Sequence, residues 1–400
     1  MTPAQANSGG RGLLAIFGST FLELVAIFML QPWLLLQLKQ AEVSSTVAGL
    51  FVACSWLGIF VMAPFASAVT QALGQRNSLW LSGAIPVAGA LVFAGTQHLA
   101  VWFVVYLVMG LAGGLRWVLA EALVAEFAPA ASRGRYVGLF ETMVGLTFVA
   151  GPAVLVAVGT DSPWAIWITV AVAVAGLAWS MALPPIAAAH DQHTAVVGMR
   201  GVWRALLAHP IIMLAGFVGG FFESGVTSIL PLYGLAMGLG AAAAALLVSA
   251  SGLGSALVML PAGMLADRFA DPARGRHTMM VVFAGLTLLA TCAVPWVAHI
   301  SWLAWPLVFV LGGAGGSLYT LAMIDIGARE QGITLVNSTA VLVLTYTFGG
   351  LLASASGGAL LDWSPTLAFP GVLMAVAALG LWALVRSRRA SASAGMRDNV

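Results

Sequence analysis

Five ionisable side chains fall inside long apolar stretches of the 400-residue sequence. An ionisable group at the middle of a bilayer costs at least about 2.5 to 3.5 kcal/mol, so each is expected to face water, a partner or a proton path. Carboxyl groups in such places can bind and release protons, and a buried guanidinium favours carboxylate partners. The five residues are Glu23, Arg116, Glu121, Glu141 and Glu223.

Glu23 and Glu223 occupy similar depths in their apolar stretches. They lie about 11 and 14 residues from the predicted cytosolic ends, or roughly 16 and 21 Å at 1.5 Å per residue. Both therefore fall near the midplane, where we predict a proton-coupling role. The alternative is a buried protonated carboxyl group that serves packing only.

Arg116 needs a partner from another helix. Arg116 and Glu121 are five positions apart, about 140° around a helix, so they do not form an i,i+4 pair. Glu121 and Glu141 both lie about six residues, or roughly 9 Å, from the cytosolic ends of consecutive helices. We expect Arg116 to cluster with Glu121 or Glu141, either in a functional site or as a structural salt bridge.

Four acids against one buried arginine would give an aqueous cavity an acidic field, which favours cations and protons over anions. Trp117 shares a helix face with Glu121, and Tyr319 and Tyr346 also lie in apolar stretches. These aromatic rings are candidates for stacking or cation-π contacts with a substrate, with packing as the alternative. The pattern favours cationic or neutral amphipathic compounds.

The composition places these residues in lipid. Of the residues, 61% are hydrophobic and 8% are charged, whereas average chains carry about 25% charge. Apolar stretches long enough to cross a core of roughly 30 Å recur throughout, and they predict twelve transmembrane helices. The predicted spans are 12 to 37, 44 to 70, 79 to 95, 101 to 127, 135 to 158, 163 to 183, 209 to 237, 240 to 266, 277 to 296, 301 to 325, 332 to 357 and 364 to 386.

Basic residues test this count. With the N-terminus in the cytoplasm, 14 of the 16 Lys and Arg residues fall inside, Lys39 falls outside, and Arg116 lies within a helix. This asymmetry follows the positive-inside rule. It predicts a bacterial-type inner membrane protein with both termini cytoplasmic, and it explains the basic pI without nucleic-acid binding.

The two halves of the chain resemble each other. Glu23 and Glu223 each follow a pair of large apolar residues that begins with phenylalanine, and a glycine-rich run precedes both Trp117 and Tyr319, which are 202 positions apart. An even number of helices per half makes the repeat parallel. We predict an N-terminal six-helix bundle at 1–187, a cytoplasmic linker at 188–206, a C-terminal six-helix bundle at 207–387 and a basic cytoplasmic tail at 388–400.

A short motif after the eighth helix carries a family resemblance. Residues 261–269 read PAGMLADRF, with Gly263, Asp267 and Arg268 in the spacing of the Gly-x-x-x-Asp-Arg signature. This resembles the major facilitator superfamily, in which the motif lies at the cytoplasmic ends of the second and eighth helices and serves gating. The copy after the second helix retains Gly74 and Arg76 but has no acidic residue.

The resemblance implies an all-α membrane protein of two pseudo-symmetric six-helix bundles around a central cavity. Helices one and seven line the cavity in this family, so Glu23 and Glu223 are expected to face one another across the repeat axis. The run from Trp117 to Glu121, followed by Arg133 and Arg135, is similar to the YcaD-like branch of the superfamily, whose members are transporters.

Other classes of function have little support in the sequence. There is no GxxxxGK[ST] motif for nucleotide binding and no hydrolytic triad, so we predict neither an enzyme nor a bound cofactor. His190, Asp191 and His193 in the linker are an incomplete ligand set, so we predict no metal site.

We therefore expect a monomeric, proton-coupled secondary transporter of a small molecule, working by alternating access and exporting cationic or neutral amphipathic compounds. The alternatives are a proton-independent facilitator, a metabolite importer and, in another class, a membrane sensor or assembly factor that does not transport.

Overall fold

The computed structural model describes residues 3–129, 133–184, 206–330 and 332–397, and the described residues are helical throughout apart from short connections. Six helices precede the linker. They are α1 (Pro3–Gln40), α2 (Ser45–Leu73, which includes one 3-10 turn), α3 (Gln75–Gly95), α4 (Leu99–Phe127), α5 (Arg133–Val158) and α6 (Trp164–Ser180).

Six further helices follow it: α7 (Pro210–Ala236), α8 (Ala241–Asp267), α9 (Pro272–Ala298), α10 (Ser301–Arg329), α11 (Gly332–Trp363) and α12 (Ala368–Arg397). The predicted spans agree with these bounds to within about six residues, except that α1 begins earlier and α12 ends later. Most of the predicted linker, with His190, Asp191 and His193, lies outside the described residues.

The helices have the length and composition of membrane spans. Within the described part of the chain, eleven helices are long and apolar enough to cross a bilayer. The twelfth apolar helix, α6, has 17 residues, about 25 Å at 1.5 Å per residue. All twelve predicted spans are therefore apolar helices, and α6 is a few ångströms shorter than a typical hydrocarbon core.

Two six-helix bundles form the fold, as the repeat predicts. In the first bundle α1 packs against α5 and α6, and α2 against α4; in the second, α8 and α9 pack against α10, and α7 against α11. The main seams between the bundles join α2 to α11 and α5 to α8. We call the end of the molecule where α1 begins and α12 ends the terminal face, and the opposite end the distal face.

Four glycines, two in each bundle, bring helix backbones into contact. A Cβ built on Gly58, Gly110, Gly254 or Gly312 would lie 2.0–2.5 Å from a carbonyl oxygen of the facing helix. The first two join α2 to α4, and the other two join α8 to α10 at positions 196 and 202 residues later. Small residues allow this close approach between membrane helices. The facing carbonyls belong, in the same order, to Leu107, Ser55, Phe309 and Ser251.

Helix α7 contains one wide turn. Residues Phe221–Val226 form a π-helical segment, and Glu223 lies within it. Such bulges occur mostly as single turns inside α-helices and frequently at functional sites. The widened turn fixes the direction in which Glu223 leaves the helix.

Candidate functional site

Three carboxyl groups, contributed by both bundles, lie within electrostatic reach of one another. Glu141 on α5 interacts electrostatically with Glu121 on α4 and with Glu223 on α7. The Glu141 side chain is exposed, Glu121 is partly exposed, and Glu223 retains 9% exposure. Among the described residues, none of these three acids belongs to an ion pair. The bundles thus enclose an acidic, accessible space. We call the three acids that border this space the central cluster.

Glu223 is held by the helices of its own bundle. The hydroxyl group of Tyr346 on α11 donates a hydrogen bond of 3.1 Å to Glu223 Oε2. On the opposite side, a Cβ built on Gly316 of α10 would lie 2.7 Å from Glu223 Oε1. Because Gly316 has no side chain, the carboxyl group has room to lie against α10.

The three predicted aromatic residues all join the central cluster. The indole Nε1 of Trp117 donates a hydrogen bond of 2.6 Å to Glu121 Oε1. Its ring meets that of Tyr346 edge-on, with centroids 5.9 Å apart, and the rings of Tyr346 and Tyr319 lie 4.5 Å apart. The cluster therefore combines carboxylates with aromatic faces, a combination that can bind organic cations.

Arg116 has a different partner from those predicted. Its Nη1 lies 2.7 Å from Glu23 Oε2, whereas the sequence pattern predicted Glu121 or Glu141. The angle falls outside that of a well-aligned hydrogen bond, so the contact is an ion pair by distance. Arg116 Nη2 donates to Ser19 Oγ at 3.0 Å and to Thr20 Oγ1 at 3.4 Å. Both charged residues are at most 4% exposed, so this pair is enclosed within the first bundle.

Glu23 and Glu223 therefore have different surroundings, although they match in the repeat. The position 202 residues after Arg116 is Leu318, which is fully buried, so the second bundle offers no arginine to Glu223 there. Tyr346 binds Glu223 in its place. The structure groups Glu223 with Glu121 and Glu141, and it groups Glu23 with Arg116.

The predicted gating residues lie on the terminal face. Gly263 is buried, and a Cβ built on it would lie 3.3 Å from Ile324 Cδ1 on α10. Arg268 is exposed at the end of α8, and the side chain of Asp267 lies outside the described part of the structure. In the first bundle, Gly74 separates α2 from α3 with a φ of +82°, and Arg76 covers the Trp80 ring at 4.6 Å.

A charge network lies beside this face. The Gly-x-x-x-Asp-Arg motif alone does not reveal it. Asp325 on α10 accepts from Arg329 Nε at 2.7 Å and also from Arg276 Nε on α9 at 3.0 Å. Nearby, Glu126 on α4 accepts a hydrogen bond from Gln75 Nε2 at 3.2 Å.

Polar contacts between the bundles concentrate between the middle of the molecule and the distal face. Asp362 at the end of α11 accepts from Ser45 N at 2.9 Å, Thr46 N at 2.6 Å and Thr46 Oγ1 at 2.7 Å. These bonds cap the N-terminus of α2, where a carboxylate also suits the helix dipole. Elsewhere between the bundles, the Trp56 indole of α2 donates to Ser228 Oγ of α7 at 3.2 Å, and Gln31 Nε2 of α1 donates to Ser228 O at 3.0 Å.

The chain matches one known protein family over most of its length. The family model for the Major Facilitator Superfamily matches residues 16–339. An uncharacterized MFS-type transporter of Bacillus subtilis, YfkF, is 24% identical over 337 residues, which are 82% of this chain and 83% of the relative. The MFS-type transporter YcaD of Shigella flexneri is 26% identical over 368 residues, which are 90% of this chain and 91% of the relative.

Solved structures share the fold. A crystal structure of the nucleoside transporter NupG aligns with a TM-score of 0.74 at 13% sequence identity, covering 95% of this chain and 98% of that one. A point mutant of the same transporter aligns with a TM-score of 0.75 at 12% identity. At this level of identity, the likeness supports the arrangement of the helices and nothing finer.

Proposed function

The chain belongs to the Major Facilitator Superfamily and is a membrane transporter, and from this premise we propose that it moves a small cationic or neutral amphipathic molecule in exchange for protons. We further propose export across a bacterial inner membrane, with both termini in the cytoplasm and the bundles at 1–187 and 207–387 rocking about the central cluster. Gating at the terminal face is assigned to Gly74, Arg76, Gly263, Asp267 and Arg268.

One observation carries this proposal. Glu121, Glu141 and Glu223 come from both bundles, lie within electrostatic reach of one another and have no ion-pair partner among the described residues. Three unpaired acids around one accessible space attract cations and protons rather than anions. Because the acids belong to different bundles, a relative movement of the bundles changes the field around any bound proton or cation.

The substrate class rests on the same cluster. Trp117, Tyr319 and Tyr346 present ring faces and edges next to the three acids. Aromatic faces next to carboxylates suit a flat or quaternary cation, which is attracted to the ring as well as to the charge. Nucleosides are a second class of substrate to test, since the nucleoside transporter NupG shares the fold. A shared fold alone does not establish which substrate is transported.

Transport by the purified protein in liposomes tests the proposal. We expect a fluorescent aromatic cation to accumulate against its own gradient when a pH gradient is imposed. This accumulation should stop when a protonophore collapses the pH gradient. Flux that only follows the substrate gradient would establish the facilitator alternative. If neither a panel of cations nor nucleosides moves, while lipid-reconstituted protein is intact, the sensor or assembly-factor alternative would replace transport.

The bonds of Asp362 give a separate prediction about alternating access. Asp362→Ala removes three hydrogen bonds that hold the distal ends of α2 and α11 together. A lost helix cap typically costs about 0.5 to 2 kcal/mol, so we expect the distal-open population to rise about two- to thirtyfold. Spin-label distances between Glu42→Cys and Leu367→Cys, with Cys54 and Cys292 replaced by serine, would measure this shift.

Asp161 provides the matched control for this experiment. It accepts a hydrogen bond of 2.7 Å from Gln40 on the distal face, but both residues belong to the first bundle. Asp161→Ala should therefore leave the label distances unchanged. An equal response to both substitutions would show that Asp362 does not hold the seam.

A further inference from the structure

The outer surface of the second bundle carries an apolar groove between α9 and α12 that the central cluster does not use. Its volume is about 510 Å³, and its lining consists of Leu288, Ala378, Leu381, Trp382, Val385 and Arg386. The Trp382 side chain is 56% exposed, and the neighbouring Leu289 is 68% exposed. The groove therefore lies on the lipid-facing side of the molecule, at the level of the last apolar turns of α12.

One end of this groove is polar and positively charged. The Arg386 guanidinium covers the Trp382 ring with its Cζ 5.2 Å from the ring centroid, and the Arg386 side chain is exposed. Just beyond it, a hydrogen bond of 3.0 Å joins the His277 ring of α9 to Ser387 Oγ of α12. This bond joins α9 to α12 next to Arg386. Arg386 therefore places a positive charge at one end of an apolar groove.

We propose that this groove is a binding site for an anionic phospholipid. One acyl chain lies along Leu288, Ala378 and Leu381, and the headgroup phosphate binds Arg386. The volume falls within the range of about 300 to 1,000 Å³ that is usual for small-molecule sites. Tryptophan favours the headgroup level, and each basic residue near the surface attracts anionic lipid, so Trp382 and Arg386 together select for the charged headgroup.

Charge complementarity decides the occupant. A zwitterionic lipid fills the apolar part equally well but brings its own cation to the basic end. An anionic lipid supplies a net negative charge there. The cation-π contact with Trp382 also limits the directions that Arg386 can take, which prepares its guanidinium for a phosphate.

Native mass spectrometry and thermal unfolding of the purified full-length protein test this site. We expect phosphatidylglycerol to bind the wild type more tightly than phosphatidylethanolamine and to raise its unfolding temperature more. Arg386→Gln should weaken phosphatidylglycerol binding about fivefold, the effect of one basic residue near a charged surface, and weaken phosphatidylethanolamine binding less, because the ammonium group of that lipid already opposes the Arg386 charge. Arg386→Lys, which keeps the charge, should retain most of the preference.

Arg274→Gln is the matched control, because Arg274 is an exposed arginine at the terminal-face end of α9 outside the groove. It should keep the preference for phosphatidylglycerol. Equal losses in Arg386→Gln and Arg274→Gln would show general attraction to a basic surface and overturn the site. An undiminished preference in a folded Arg386→Gln protein would overturn it as well.

Discussion

Replacing Glu223 with glutamine is expected to abolish proton-driven accumulation while the protein stays folded. Glutamine has nearly the shape of glutamate and can still accept the hydrogen bond that Tyr346 donates at 3.1 Å, but it cannot release a proton or carry a charge. Coupling between two ligands typically amounts to a factor of about 5 to 150, so accumulation driven by a pH gradient should fall by at least about fivefold. The same loss is expected for Glu141→Gln.

Exchange of labelled for unlabelled substrate, without any pH gradient, separates coupling from binding. A residue that only carries the proton leaves this exchange intact, whereas a residue that binds the substrate abolishes both activities. Glu126→Gln is the control, because Glu126 is exposed and contacts Gln75 outside the central cluster. Unchanged pH-driven accumulation in both Glu223→Gln and Glu141→Gln would remove these carboxyl groups from the mechanism.

Arg116→Met is expected to cause a large loss of stability. It would leave Glu23 without its cation, although the Glu23 side chain is only 3% exposed. Removing one partner of a buried pair typically costs about 3 to 5 kcal/mol, because the other charge stays buried and uncompensated. Thermal unfolding in detergent would record this as a large fall in the transition temperature.

The double substitution Glu23→Met, Arg116→Met distinguishes a lost ion pair from lost packing. Replacing both partners with apolar groups of similar volume is often neutral, so the double variant should recover most of the stability that either single variant loses. Arg274→Met, at an exposed position, should have little effect. If the double variant were as unstable as the sum of the two single variants, the pair would not be the cause.

The helices could be predicted well from the sequence because lipid imposes a strong rule on it. A membrane span needs about 20 apolar residues, and basic residues gather on one side, so length and charge alone fix the number and the ends of most spans. The glycine-rich runs before Trp117 and Tyr319 also indicated the repeat. The end of α12 was placed less well, since its basic C-terminal turns continue as a helix to Arg397 beyond the apolar stretch.

The partners of the buried charges could not be predicted in the same way. Position along a helix gives depth, but the direction of a side chain depends on which helices lie beside it. Glu23 and Arg116 are 93 residues apart in sequence and meet only because α1 packs on α4. The widened turn at Glu223 and the capping of α2 by Asp362 are likewise tertiary effects, for which a single sequence contains no local signal.

The glycine contacts of α2 with α4, and of α8 with α10, bear on how the transporter can deform. Where two backbones touch, no side chains lie between the helices that could rearrange as one helix slides along the other. Sliding would drive a carbonyl oxygen into a neighbouring Cα. Each pair must then swing as a rigid unit, so the cavity opens and closes at the α2–α11 and α5–α8 seams. Backbones also touch at the distal end of the α2–α11 seam, where a Cβ built on Gly49 or Gly358 would lie 2.5 or 2.2 Å from a carbonyl oxygen, so this seam opens by separation rather than by sliding. Probes on Phe65 of α2 and Val104 of α4 would keep a constant separation through the transport cycle, while probes across either seam would not.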